Sequence, residues 1–86
     1  MNVRIPTVLR SYTDRQAVVT AAGATVSDLL DDLDRQFPGI RFRIADEQNR
    51  LRPHVKIWIG QNPAKDLSMP LGPSDELTIM QALSGG

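Results

Sequence analysis

One segment restricts the folds open to this chain more than any other. It is a single clear amphipathic helix pattern over Thr25–Phe37, set between runs that alternate with the period of a strand. Val26, Leu29, Leu30, Leu33 and Phe37 recur at helical spacing and make one apolar face. Thr25 is placed to cap the helix, and Asp28 stands three residues on, a shortened version of the capping box. Asp28, Asp31 and Asp32 in the first two turns and Arg35 near the end suit the helix dipole. Pro38-Gly39 stops it. An apolar stripe on one helix must be covered by the rest of the chain. Most of the rest reads as strands, so an α+β layer architecture follows.

The strand signals are uneven. Asn2–Leu9 reads as a first strand, with Val3 and Ile5 on one face and Arg4 on the other; Pro6 within it suggests an edge position or a bulge. Ser11–Asp14 supplies a short polar turn, and Gln16–Ala21 is a second strand with Val19 and Ala21 inward, so the two suggest a hairpin. Ile40–Ile44 fits a short strand or a helical turn equally well. Asp46–Asn49 is a polar loop. Val55–Ile59 is a strong strand with Val55, Ile57 and Ile59 on one face. Gly60–Pro63 turns the chain, and Lys65–Leu71 is a loop with a short edge strand near Leu67. After a turn at Gly72–Asp75, Leu77–Leu83 is the last strand, with Leu77 and Ile79 inward. Periodicity alone does not fix the strand order. A β-grasp follows if the first and last strands are parallel neighbours at the centre of the sheet.

At 86 residues the chain makes one small domain, able to bury about 60–65% of its unfolded surface. Ten basic and ten acidic residues cancel, which argues against a nucleic-acid or anionic-membrane binder. No apolar run approaches membrane-spanning length, Val3-Arg4-Ile5 after Met1 does not read as a secretory leader, and a cytoplasmic location is expected. Without cysteine there is no disulfide framework and no thiolate metal site. The acidic run Asp28/Asp31/Asp32/Asp34 has no His or Cys to join it, so it reads as a solvated helix face and no metal site is assigned.

The chain's last residues, Ala82-Leu83-Ser84-Gly85-Gly86, follow directly on the final strand. Two glycines without Cβ atoms can thread a narrow channel and end in a carboxylate on an unhindered carbon. A diglycine alone also fits a frayed terminus. Behind a strand on so small a domain, it makes better sense as a working group with the domain as its handle.

On these residues the chain resembles the ubiquitin-like sulfur-carrier proteins of the MoaD/ThiS family, most closely the cysteine-synthesis carriers among them. The resemblance is carried by Val3–Arg10, by Thr25–Ile40, and by the final strand with its Ala82–Gly86 tail, and it spans nearly the whole chain. The chain departs from the family's usual pattern at Gly60, where Asn is common, at Gln81, where Pro is common, and at Gly72-Pro73-Ser74-Asp75, where Gly-Asp is usual. The resemblance implies a ubiquitin-like β-grasp over residues 1–83, a mixed sheet packed on one main helix, with a flexible diglycine tail at 84–86.

It also implies a chemistry. A carboxylate is a poor electrophile because attack must expel oxide, whereas an acyl-adenylate offers AMP as the leaving group. Sulfide can then leave a thiocarboxylate on Gly86, whose sulfur is a soft, ionised nucleophile. By resemblance, an E1-like adenylating enzyme binds the domain and uses ATP. A sulfur-accepting biosynthetic enzyme takes the cargo, and a processing peptidase can expose the tail. Gly86 is then the reacting terminus, Ser84 and Gly85 the tail that presents it, and the chain a protein co-substrate rather than an enzyme, with no cofactor of its own. The residues agree. His54 reads as a surface residue at a strand entry; Ser11, Ser27, Ser68, Ser74 and Ser84 have no evident His/Asp arrangement; no phosphate-binding glycine motif occurs.

Partner recognition is read separately. On the strand faces assigned above, Trp58, Met80, Val18 and Thr78 point away from the helix, and apolar residues on an open sheet face suggest a docking surface. The alternative folds Trp58 under the 61–71 loop as a satellite core. The leading function is a sulfur carrier for cysteine or a specialised sulfur-containing metabolite. The others are a molybdopterin-synthase small subunit, a ubiquitin-like protein modifier, and an interaction module with an idle tail.

Overall fold

The computed structural model describes residues 1–72 and 75–82. Its elements run β1 (Asn2–Arg4), a 3-10 helix (Thr7–Tyr12), β2 (Val18–Thr20), α1 (Val26–Gln36), α2 (Ile40–Ile44), β3 (Val55–Ile59), β4 (Asn62–Pro63) and β5 (Leu77–Gln81). The strands form one mixed sheet in the order β2-β1-β5-β3-β4. β1 and β5 are parallel neighbours at its centre, and the other pairs are antiparallel. This is the β-grasp, with the ladder between β3 and β5 running from Val55↔Gln81 to Ile59↔Leu77.

Helix α1 starts as its sequence predicts. The Asp28 N–H donates to Thr25 Oγ1 at 3.2 Å, satisfying one of the four amides that a helix N-terminus leaves unpaired. Loop carbonyls take two more: the Val26 N–H donates to Met69 O at 3.1 Å and the Ser27 N–H to Leu67 O at 2.8 Å. Val26, Leu29, Leu30 and Leu33 are fully buried, and they pack in one core with Val3, Val19, Ile57, Leu77 and Ile79 from the sheet. The expected inward residues of β3 and β5 are all buried, Ile59 included, while Phe37 at the end of the helix face is half-buried against this core. The chain enters α1 so closely that a Cβ on Gly23 would lie 2.3 Å from Leu29 N, a backbone atom that has no room to move aside.

Three expectations are corrected. The first strand does not reach Leu9. Pro6 has no N–H to continue the ladder, so pairing ends there, and Thr7–Tyr12 coils into the 3-10 helix instead. That helix still delivers Leu9 to the core, so the apolar signal was right and its period was not. The hairpin of β1 and β2 is therefore joined by a helix and a turn, with Asp14 (φ 51) and Arg15 (φ 64) left-handed. There is no strand near Leu67, which is buried beneath α1's first turn; the edge strand is β4, paired with β3 through Trp58↔Pro63 and Ile59↔Asn62. The open choice at Ile40–Ile44 resolves as a helix, with Ile40 and Ile44 buried four residues apart. The last strand is described to Gln81, and Leu83 lies outside the described residues.

The acidic run on α1 is not simply solvated. Asp32 Oδ2 accepts from the Ala22 N–H at 3.0 Å, Asp34 Oδ1 accepts from the N–H groups of Gly39 (3.0 Å) and Arg41 (3.1 Å), and Asp31 pairs with Arg41 Nε at 2.8 Å. These carboxylates tie the helix to the segments that precede and follow it. Among the described residues no helix is long and apolar enough to cross a membrane.

Candidate functional site

β5 is the element that positions the tail. It is central: Leu77 and Thr78 pair with β1 as well as β3, and Ile79, Met80 and Gln81 go on paired with β3 alone. Among the described residues the tether nearest the tail is the Ala82 N–H, which donates to His54 O at 2.9 Å. Ser84, Gly85 and Gly86, the expected working residues, lie outside the described residues, as does the expected boundary after residue 83.

The expected docking residues share the sheet face opposite α1. Register places Val18, Arg4, Thr78, Trp58 and Pro63 on one rung that crosses the whole sheet. Met80 lies one step toward the tail, opposite Lys56. Met80 is 52% exposed and Val18 40%; Trp58 and Thr78 are half-buried. The four residues do not make one apolar patch. Arg4 stands between Val18 and Thr78 and is paired with Glu76 at 2.8 Å. Trp58 and Met80 do come together, lining one groove with Pro53, His54, Lys56 and Ala82 at the root of the tail. Trp58 thus lines a surface groove while remaining half-buried opposite Pro63. Its Nε1 and the Oε1 of neighbouring Gln81 are closed off from solvent with no hydrogen bond among the described residues.

Sequence reasoning missed a second groove at the same pole. Phe42, 56% exposed on α2, carries the Arg52 guanidinium 4.5 Å above its ring, and Arg52 Nε donates to Phe42 O at 2.6 Å. The groove beside this pair reaches Val8, Arg43, His54 and Gln81. Reading Ile40 and Ile44 as an i,i+4 helical pair would have put Phe42 on the outer side. The signal was present but short.

The model of the ThiS family matches residues 3–86. Sulfur carrier protein CysO of Mycobacterium tuberculosis is 31% identical over 91 residues, covering 100% of this chain and 98% of that one. The crystal structure of M. tuberculosis CysO superposes with a TM-score of 0.89 at 30% identity, over 95% of this chain and 98% of that one. A chain of the Amycolatopsis orientalis BexX/CysO complex gives a TM-score of 0.90 at 32% identity, over 99% and 98%. The small archaeal modifier protein 1 of Methanosarcina acetivorans follows at 0.78 and 26%, over 99% and 94%.

Proposed function

This chain belongs to the ThiS family, and from that membership we propose that it carries sulfur as a thiocarboxylate on Gly86 and gives it up to a biosynthetic enzyme. The observation that supports this most is the position of the tail. Leu83-Ser84-Gly85-Gly86 follows directly on a central strand, in a domain that matches a CysO-containing complex with a TM-score of 0.90. The strand is a rigid handle, and four residues beyond Ala82 reach at most about 14 Å when extended. That is enough to enter a channel whose mouth rests on the domain.

In the proposed cycle an E1-like enzyme transfers AMP from ATP to the Gly86 carboxylate, releasing pyrophosphate. Sulfide attacks the acyl carbon and expels AMP, leaving the thiocarboxylate. On an acceptor enzyme the thiocarboxylate sulfur attacks an electrophilic carbon of the substrate and expels its leaving group; water then cleaves the acyl link to Gly86, so the sulfur stays on the substrate and the carboxylate returns. The chain contributes no acid, base or metal to these steps; it is a co-substrate. Gly85 and Gly86 let the terminus pass without a side chain, and the Ala82–His54 hydrogen bond fixes where it sets out. The sheet face around Trp58 and Met80, with Thr78 and Val18 on the adjoining rung, docks the partner. The exposure of Met80 beside Trp58 and the assembly of a relative with BexX both favour such a complex.

The test uses the cognate activating enzyme, ATP and a sulfide source. The chain should gain the mass difference between sulfur and oxygen and become reactive to thiol-selective alkylating agents, although it contains no cysteine. Removing Gly86 should abolish both changes. Covalent conjugates to lysines with no thiocarboxylate would favour the modifier reading. Stable assembly with a molybdopterin-synthase large subunit would favour that one.

A further inference from the structure

The formal net charge of zero conceals a segregation. Arg4, Arg35, Arg41 and Arg50 are each paired with a carboxylate, on Glu76, Asp32, Asp31 and Asp46. Among the described residues the cations at the end of β5 have no carboxylate within ion-pair distance, although Arg52 also borders Asp46 and Glu47 in an adjoining groove. Three grooves meet at Gln81, the last residue of that strand. Arg43, Arg52 and His54 line the first, Arg10 the second, and Lys56, with His54 again, the third. Among the described residues no Asp or Glu lines any of the three, and none of Arg10, Arg43, Arg52, Lys56 or His54 belongs to an ion pair. Two of the guanidinium groups are already oriented: Arg10 Nε donates to Ile5 O at 3.1 Å and Arg52 Nε to Phe42 O. Their remaining N–H groups are thus presented at low ordering cost, as preorganised forks for carboxylates.

We propose that these residues form a basic collar around the root of the tail, and that it docks an Asp/Glu-rich polypeptide segment at the mouth of the channel on the partner that receives the tail. The proposal rests on the carrier reading, because a partner that takes the tail must sit against its root. The occupant is a polypeptide rather than a nucleic acid for two reasons. Exposed Val8 and Phe42 are interleaved with the cations, which suits apolar side chains beside the carboxylates. The cations also ring one point instead of forming the stripe that follows a phosphate backbone. Rim charges of this kind set association rate and specificity more than final affinity.

The experiment has two arms. In the first, the isotope-labelled protein is titrated with N-acetyl hexaglutamate amide at low salt. Amide shifts should concentrate at residues around Gln81, Arg43 and His54. They should vanish in Arg43→Glu and persist in Lys65→Glu, which makes the same charge change at an exposed loop position. Shifts that spread evenly, equal shifts with hexaglutamine, or indifference to Arg43→Glu overturn the collar. Stronger binding of an oligothymidylate of equal charge overturns the polypeptide assignment in favour of nucleic acid. Line broadening that grows with protein concentration and is relieved by Arg43→Glu overturns it in favour of a second copy. In the second arm, the activating enzyme's KM for the carrier should rise about tenfold in Arg43→Glu. The difference should collapse at about 0.5 M salt, where the Debye length is only a few ångströms. An unchanged KM overturns the proposal whatever the peptide does. A wild-type chain that is not activated at all removes the carrier reading instead, and the peptide arm then decides the collar.

Discussion

Gly23→Ala should destabilise this protein, against the usual direction for that exchange. Where the backbone accepts it, glycine to alanine stabilises by about 0.4–1 kcal/mol, because the unfolded chain loses freedom. The added Cβ here would stand 2.3 Å from Leu29 N, 2.7 Å from Asp28 C and 2.8 Å from Leu29 Cα. All three are helix backbone, so relief requires α1 to move away from the incoming chain. That movement is opposed on both sides. The Asp32 carboxylate holds Ala22, Gln36 Nε2 donates to Thr20 O at 2.9 Å, and Leu29 and Leu30 are fully buried against the sheet. Overpacking of this kind costs about 1–3 kcal/mol. In a domain of this size that lowers Tm by roughly 5–20 °C. Urea denaturation followed by circular dichroism should show a lower midpoint at an unchanged m-value. Gly60→Ala is the control, since Gly60 has φ +60 but nothing within 4 Å of its added Cβ. It should lose only the backbone preference, about 1 kcal/mol. A Gly23→Ala protein as stable as wild type, or more stable, would refute the steric reasoning.

The other predictions concern the core, pH and the outer face. Leu30→Ala, at a fully buried site, should cost about 2–5 kcal/mol in the same assay; a loss well below that range means the core closes over the space. The Asp32 carboxyl is held below its ordinary value of 3.8, first by the Ala22 N–H and then by Arg35. A depressed folded-state pKa adds stability that is present above the unfolded value and lost as pH falls through the folded one. Asp46 and Asp66, held down chiefly by the Arg50 N–H and by Ser68, act in the same direction. Thermal stability should therefore fall as pH drops below about 4, and Asp32→Asn should flatten part of that slope; an unaltered profile would show that the Ala22 contact does not report on folding. Trp58→Ala and Met80→Asp should each weaken the complex with the activating enzyme while circular dichroism stays native. Wild-type activation by both variants would remove the outer face from partner docking.

What the sequence determined was local. The apolar face of α1, its Thr25 cap, the inward sets on β3 and β5 and the diglycine after the last strand are all legible, because each is a periodicity or terminus within a few residues. Boundaries failed where one residue outweighed a pattern. Pro6 ended a ladder that alternation would have carried to Leu9, and Leu67 was buried by the carbonyl contacts of its loop with α1 rather than by a strand. The tertiary structure alone decided what depends on distant pairings. The parallel match of Val3 with Leu77 sets the strand order, and with it the rung that inserts Arg4 between Val18 and Thr78. The same folding gathers Arg10, Arg43, Arg52, His54 and Lys56 around Gln81. Summed over the chain, their charge disappears into a total of zero. A field at a surface depends on where charges stand, and only the packed fold brings these five side chains to one end of β5.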